Sequence, residues 1–337
     1  MQESSPAGGP PAPPASRVAL VLGAGGTVGL SYHAGALRAL EQVGGIRPDD
    51  AGVIIGTSAG SVVGAYLRSG WGTEDFWQLA MGSHPSLEGL NREEINAMRA
   101  EMFTPRFRTG PDLARRVLGS SFVIGRSLLR TPAPVVPGWL RRMFPGGLFD
   151  MTEGRRRFAD DLPLTWPARP LWLCAVDITS GRRIVLGRPG APVTDLHRAV
   201  MASCAIPGLY QPIRVAGHTL VDGGARSNTN LDLAAQADVD LVIGVAPMTF
   251  DPDRAPGPLS QLARRVPSRQ LASEAAGVRR RGVEVLLVRP SAAEVRAHGL
   301  NLMRSTGWER LAVFAYDATA RALETPRFRH ALEALAA

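Results

Sequence analysis

Two hydrophobic patterns alternate along the chain. Residues 17–22 form a short run of β-branched and leucine side chains that stops at a glycine cluster, as a buried strand entering a tight loop does. In residues 30–43, Leu30, Ala34, Leu37 and Leu40 recur near a 3.6-residue period, which predicts a helix. Residues 52–55 repeat the strand pattern, run into glycines again, and lead to a helix-like 61–67. Further buried strands are expected at 171–176, 183–186, 241–246 and 283–288, with helical patterns between and after them. Such alternation predicts an α/β fold of three layers, a mostly parallel central sheet covered by helices on both faces.

Two stretches depart from this pattern. Residues 1–16 hold clustered Pro and Gly but neither a basic start nor an apolar core, so they read as a flexible, partly polyproline tail rather than a secretory signal. From about 104 to 170, Pro recurs, Arg clusters, and amphipathic fragments at 112–118 and 139–144 occur with no strand between them. This is expected to be a helical insertion over the sheet, either a cap or ordinary surface helices with solvated arginines. The organisation expected is a tail over 1–16 and a single domain over 17–337 that carries the insertion.

Composition narrows the class. With 45% apolar and 20% charged residues among 337, the chain is neither disordered, collagen-like nor coiled coil. Its apolar runs fall far short of the ~20 residues that cross a bilayer. Cys174 and Cys204 allow at most one disulfide and no CxxC, and both are expected to be reduced and buried in a cytoplasmic protein. The net charge of +8 raises nucleic acid or an anionic membrane as partners, but all 38 basic residues are arginine, a sign of codon bias rather than of phosphate contacts. The excess is local: twelve Arg face four acids between Arg99 and Arg157. No helix-turn-helix, zinc or base-stacking signature accompanies it, so nucleic acid is not expected. Peripheral contact with an anionic membrane through the 99–157 region is, with Trp139, Leu140, Met143 and Phe144 beside Arg141 and Arg142; the plainer reading is core-facing apolar side chains with solvated arginines.

Three segments carry candidate chemistry. Gly56-Thr57-Ser58-Ala59-Gly60 matches G-x-S-x-G in the strand-to-helix context that exposes a serine nucleophile on a strained turn, and this outweighs a purely structural turn. Gly23-Ala24-Gly25-Gly26-Thr27-Val28-Gly29 fits dinucleotide binding poorly, because the sixth position of G-x-G-x-x-G is Val28, and no Gly-Lys-Ser/Thr follows. Its successive N–H groups suit an oxyanion hole; alone, the loop is equally a plain strand–helix turn. Asp222-Gly223-Gly224 ends a strand-like 218–221 and precedes Ser227-Asn228-Thr229-Asn230. Nothing singles out a histidine as base; the order Ser, Asp, His would need His298 or His330.

Together the three segments, with Ala202-Ser203-Cys204-Ala205-Ile206-Pro207-Gly208 leading to Val221-Asp222-Gly223-Gly224, resemble the patatin-like phospholipases over about 17–245. The resemblance implies a serine-dependent lipid acyl hydrolase, of phospholipase A or esterase type, with a Ser–Asp dyad. Ser58 would be the nucleophile, Asp222 the general base, and the N–H groups of Gly25, Gly26 and Thr27 the oxyanion donors. It implies a lipid ester substrate in lipid catabolism and no cofactor or metal. An aspartate of ordinary pKa ~3.9 is a weak base, so proximity and a desolvated site must compensate. One departure stands out: where the family usually carries arginine before the loop's last glycine, this chain has Val28. The alternative is a non-catalytic, lipid- or partner-binding regulatory member of the same fold. Oligomeric state and the particular lipid are not legible.

Overall fold

The structure, a computed structural model, describes residues 17–100, 104–105, 109–129, 147–254, 257–299 and 301–336. The chain enters the sheet at β1 (Val18–Leu22), turns through the glycine loop into α1 (Gly26–Gln42), and returns as β2 (Val53–Gly56) and α2 (Ala59–Arg68). Helices α3 (Thr73–Met81) and α4 (Arg92–Ala100) lead to β3 (Thr104–Pro105), α5 (Gly110–Leu129), β4 (Phe149–Asp150) and α6 (Thr152–Asp161). Then come β5 (Leu171–Asp177), β6 (Arg183–Leu186), α7 (Leu196–Ser203), β7 (Ile213–Val215), β8 (His218–Asp222) and β9 (Leu241–Val245). The rest is α8 (Pro258–Arg279), β10 (Glu284–Val288), α9 (Ala292–His298), α10 (Trp308–Leu323) and α11 (Pro326–Ala336).

The main sheet runs β10-β9-β1-β2-β5-β8-β7, with β6 also on β5. The strands from β10 to β5 are parallel, whereas β6 and β8 pair antiparallel with β5, and β7 antiparallel with β8. The expected mostly parallel sheet is therefore present, with an antiparallel end. Period-two alternation buries both faces. Leu20, Leu22, Ile54, Leu171 and Leu173 point into one layer with Leu37 and Leu40 of α1, Val63 of α2 and Ala312 of α10. Ala19, Val21, Val53, Ile55, Trp172 and Cys174 point into the other, against Leu271, Ala275 and Val278 of α8.

Three local readings change. Helix α1 begins at Gly26, four residues before the apolar period starts, because the glycine loop itself supplies the first turn. Strand β7 was not anticipated; its register rests on a two-residue turn in which Ala216 and Gly217 both take positive φ, as a type I′ hairpin needs. Within the arginine-rich stretch, the 112–118 fragment is part of a twenty-residue helix, and β3 pairs with β4 through Thr104–Asp150 and Pro105–Phe149, a short ladder where no strand was expected. The 139–144 fragment and the 1–16 tail lie outside the described residues. Among those described, no helix is long and apolar enough to cross a membrane.

Candidate active site

The parallel β1 and β2 deliver the two glycine turns side by side, with Leu22 in register with Gly56. Between β2 and α2 the chain must reverse within two residues, which forces Ser58 to φ 54, ψ −120, a conformation costly for a residue with a side chain. The turn packs so closely on β1 that a Cβ on Gly60 would fall 2.0 Å from the Leu22 carbonyl oxygen. Ser58 begins α2 as its N-cap, and its own carbonyl accepts from Ser61 N–H at 2.8 Å and Ser61 Oγ at 2.6 Å.

Asp222 ends β8 opposite Ala175 of β5, and its backbone N–H donates to Ala205 at 2.9 Å. Its Oδ1 accepts from Gly224 N–H at 2.7 Å. Asp222 and Ser58 are both buried, and the Ser58 hydroxyl is near enough to the Asp222 carboxyl to act on its proton affinity. Burial raises the Asp222 carboxyl from 3.8 to about 6, while Ser58 and the bond from Gly224 pull the other way. Desolvation thus brings an otherwise weak base close to neutrality.

The glycine loop closes against both turns. A Cβ built on Gly29 would lie 3.3 Å from that of Ala59, and one on Gly224 would lie 3.8 Å from that of Ala24. Gly23 and Ala24 donate to Val245 and Asn228 at 2.9 and 2.7 Å, Val28 donates to Leu302 at 3.0 Å, and Gly29 to Gly25 at 2.8 Å. Among the described residues the N–H groups of Gly25, Gly26 and Thr27 take no protein acceptor. They form the first turn of α1, where orphan donors and the helix dipole favour an anion. Val28, where the family usually has arginine, is completely buried.

No histidine among the described residues hydrogen-bonds Ser58 or Asp222. His33, buried under the loop, donates from Nε2 to the Gly23 carbonyl at 2.8 Å, and burial lowers it to about 4. His298 accepts at Nδ1 from Arg264 at 2.9 Å and stands edge-on to Tyr32; burial, then the Arg264 and Arg304 charges, lower it to about 3. Cys174 and Cys204 are unpaired and buried, which pushes each thiol up to about 12. The described residues contain no cluster of three His, Cys, Asp or Glu side chains that could hold a metal ion.

Several supporting residues were not foreseen. Ser203, the last residue of α7, accepts from Ser58 N–H at 3.1 Å and donates to the Cys174 carbonyl at 2.7 Å, tying the elbow to β5. Asn230, fully buried with φ 51, donates from Nδ2 to Thr57 Oγ1 at 3.0 Å and to the Ser227 carbonyl at 2.8 Å. Its Oδ1 accepts from Arg183 at 3.0 Å, and Arg183 holds Asp232 in a bidentate pair at 2.7 and 2.8 Å. Glu274 of α8 accepts from Leu231 N–H and Thr229 Oγ1, fixing the same loop. From the C-terminal side, the Thr27 hydroxyl donates to the Leu302 and Arg304 carbonyls at 3.3 and 3.0 Å. The available signal was the run Ser227 to Asn230, separated by two residues from Asp222-Gly223-Gly224: the small polar side chains of Ser227, Thr229 and Asn230 are buried struts rather than a solvated loop.

An α/β protein whose strained serine turn meets a buried aspartate and a glycine loop with spare N–H donors defines a patatin-like architecture. A model of the patatin-like phospholipase family matches residues 20–235, and the chain belongs to that family. It is 26% identical over 235 residues to YqhO of Bacillus subtilis (strain 168), an uncharacterized protein, with 67% of this chain and 69% of that one covered. Among solved structures it is similar to VipD of Legionella pneumophila (16% identity, TM-score 0.42, covering 93% of this chain and 67% of that one). It is also similar to the type III effector ExoU, at 14% identity and TM-score 0.34, covering 93% of this chain and 53% of ExoU. Membership of the family supports a lipid hydrolase function.

Proposed function

We propose that the chain is a serine-dependent lipid acyl hydrolase acting on carboxylic esters of phospholipid, galactolipid or acylglycerol through a Ser58–Asp222 dyad. The observation that carries this reading is the buried Asp222 carboxyl, raised to about 6 by desolvation and acted on by the equally buried Ser58 hydroxyl of the strained turn. At neutral pH such a group is ionised yet basic enough to take a proton from an attacking hydroxyl.

In this mechanism Ser58 Oγ attacks the ester carbonyl carbon as its proton passes to Asp222. The N–H groups of Gly25, Gly26 and Thr27 receive the oxyanion, and loss of one such donor typically costs ~10²–10³ in rate. Collapse breaks the bond to the alcohol, which leaves with the proton from Asp222, and the acyl group stays on Ser58. Water deprotonated by Asp222 then releases the fatty acid and restores the serine. The backbone donors do not depend on the side chain at Val28, so the missing arginine removes a charge without removing the hole.

The test is hydrolysis of short- and medium-chain p-nitrophenyl esters, and of lipids in a membrane extract, by wild type, Ser58→Ala and Asp222→Asn. Both variants are expected to lose activity, and Ser58→Ala to lose labelling by a fluorophosphonate probe. Activity that survives both changes would overturn the roles. A wild-type Ser58 inert to the probe would favour the lipid- or partner-binding alternative that Val28 suggests.

A further inference from the structure

The two halves of the dyad meet end to end on one edge of β5. Gly56 of β2 pairs with Leu173 and Asp222 of β8 with Ala175, while β6 pairs with Leu173, Cys174 and Ala175 alike. A strand has two edges, so these shared partners place β6 on one edge and both β2 and β8 on the other. Strand β2 runs parallel to β5 and β8 antiparallel, so Ser58 and Asp222 approach from opposite directions, and only the level of Cys174 is left between them. No pairing joins β2 to β8 among the described residues. The sheet ladder alone therefore does not fix the separation of the two side chains.

Ser203 bridges this gap. It is completely buried, and its hydroxyl accepts from Ser58 N–H at 3.1 Å and donates to the Cys174 carbonyl at 2.7 Å. The same carbonyl backs the other half: a Cβ on Gly223, next to Asp222, would lie 2.5 Å from it. Two residues on from Ser203, the Ala205 carbonyl accepts from Asp222 N–H at 2.9 Å. Between them, Cys204 Sγ lies 3.6 Å from the Ser61 hydroxyl, which donates to the Ser58 carbonyl. Three consecutive residues thus grip the backbone of the nucleophile and the backbone of the base. We propose that Ser203 is a positioning residue that sets the separation of Ser58 and Asp222. A hydroxyl donates and accepts at a single oxygen, which suits a place where an N–H and a carbonyl must be joined across a gap too narrow for another strand. Its bond also occupies the Ser58 N–H and so leaves the oxyanion to other donors. The catalytic consequence rests on the Ser58–Asp222 hydrolase reading; the hold on Ser58 does not.

Ser203→Ala and Ser203→Thr test this, with Tyr66→Phe as control. Tyr66, in the second half of α2, donates its hydroxyl to Asp161 at 2.7 Å, so the control also loses a hydroxyl bond, but one away from the dyad. Ser203→Ala should lower kcat for p-nitrophenyl esters and the rate of fluorophosphonate labelling about tenfold, with KM within about twofold of wild type. Ser203→Thr keeps the hydroxyl and should restore both rates to within about threefold, and Tyr66→Phe should leave both unchanged. In a second measurement, hydrogen exchange at the Ser58 amide should quicken about tenfold in Ser203→Ala and in neither other variant. Unchanged kcat in Ser203→Ala, a loss confined to KM, or a Ser203→Thr protein that melts like wild type yet reacts as slowly as Ser203→Ala overturns the proposal. If wild type hydrolyses no ester and takes no probe, the hydrolase reading fails instead, and the Ser58 amide decides the hold by itself: exchange as slow in Ser203→Ala as in wild type overturns it.

Discussion

Asp222→Asn separates the chemical role of this carboxylate from its structural cost. Burial raises the Asp222 carboxyl from 3.8 to about 6, so the folded protein holds the proton more tightly than the unfolded chain. The favourable linkage is fully present below pH 3.8 and is lost as pH rises through about 6; above that, the native state keeps a buried charge. At 1.36 kcal/mol for each tenfold in proton affinity, that charge costs about 3 kcal/mol at pH 8. Asparagine has nearly the same shape, can accept from Gly224 N–H, and carries no charge at any pH. The variant should therefore be more stable than wild type by about 3 kcal/mol at pH 8, which for a chain of this size is roughly 4 °C in melting temperature. Near pH 4 the two should melt within about 1 kcal/mol of each other. Thermal melting across pH, alongside p-nitrophenyl ester hydrolysis, checks both halves: hydrolysis should fall by ~10²–10⁴ above pH 6, where wild-type Asp222 is ionised, and by less below it. A variant less stable than wild type at pH 8, or a gain that does not shrink on acidification, would refute the claim that desolvation sets this group's basicity.

Three further outcomes are expected. The pH profile of kcat/KM should rise with a single midpoint near 6 as Asp222 ionises, since His33 and His298 titrate lower, at about 4 and about 3; steady-state kinetics showing a midpoint well away from 6 would argue for another base. Asn230→Ala removes the strut to Thr57 and leaves Arg183 short of an acceptor, so kcat should drop about tenfold with little change in KM, and stability by about 1–3 kcal/mol in denaturant titration. Ser58→Gly removes the nucleophile and relieves the positive φ, so the protein should lose esterase activity and gain about 1 kcal/mol, measured by melting; a loss of stability would show that the turn is not strained.

What the sequence revealed and what it hid divide along a physical line. Both glycine turns, Ser58 and Asp222 were legible because strand, turn and helix are written in adjacent residues, where burial period and backbone freedom act locally. Strand β7 was not, because three residues carry no period, and its turn uses Ala216 in a conformation alanine rarely takes. Helix α5 was seen only in part because Gly110, Gly119 and Gly125 break its apolar pattern. Asn230 lies 173 residues from Thr57, so no local feature connects them. Leu302 and Arg304 act through their carbonyl oxygens, which every residue possesses, and so leave no trace in residue type.

The support for the glycine loop explains why a family match ending at residue 235 does not mark the end of the candidate site. An oxyanion donor is effective only if it is held in place before charge develops, because reorganisation during the reaction cancels much of the gain. Here the loop's early N–H groups are tied to Val245 and Asn228, its middle to Leu302, and its helix to the Trp308 carbonyl through the Ser31 hydroxyl. Gly25 abuts Pro247, whose carbonyl, like that of Thr249, accepts from the buried Arg264. A Cβ on Gly35 would fall 2.0 Å from the Ala312 carbonyl oxygen, so α1 and α10 cross at near backbone contact. Of these anchors, Val245, Pro247, Thr249, Arg264, Leu302, Trp308 and Ala312 all lie beyond residue 235. Among the described residues the N–H groups of Gly25, Gly26 and Thr27, the proposed donors, are left without a protein acceptor while the residues around them are bonded, and most of the partners that bond those neighbours come from the part of the chain where the sequence carried no recognisable motif.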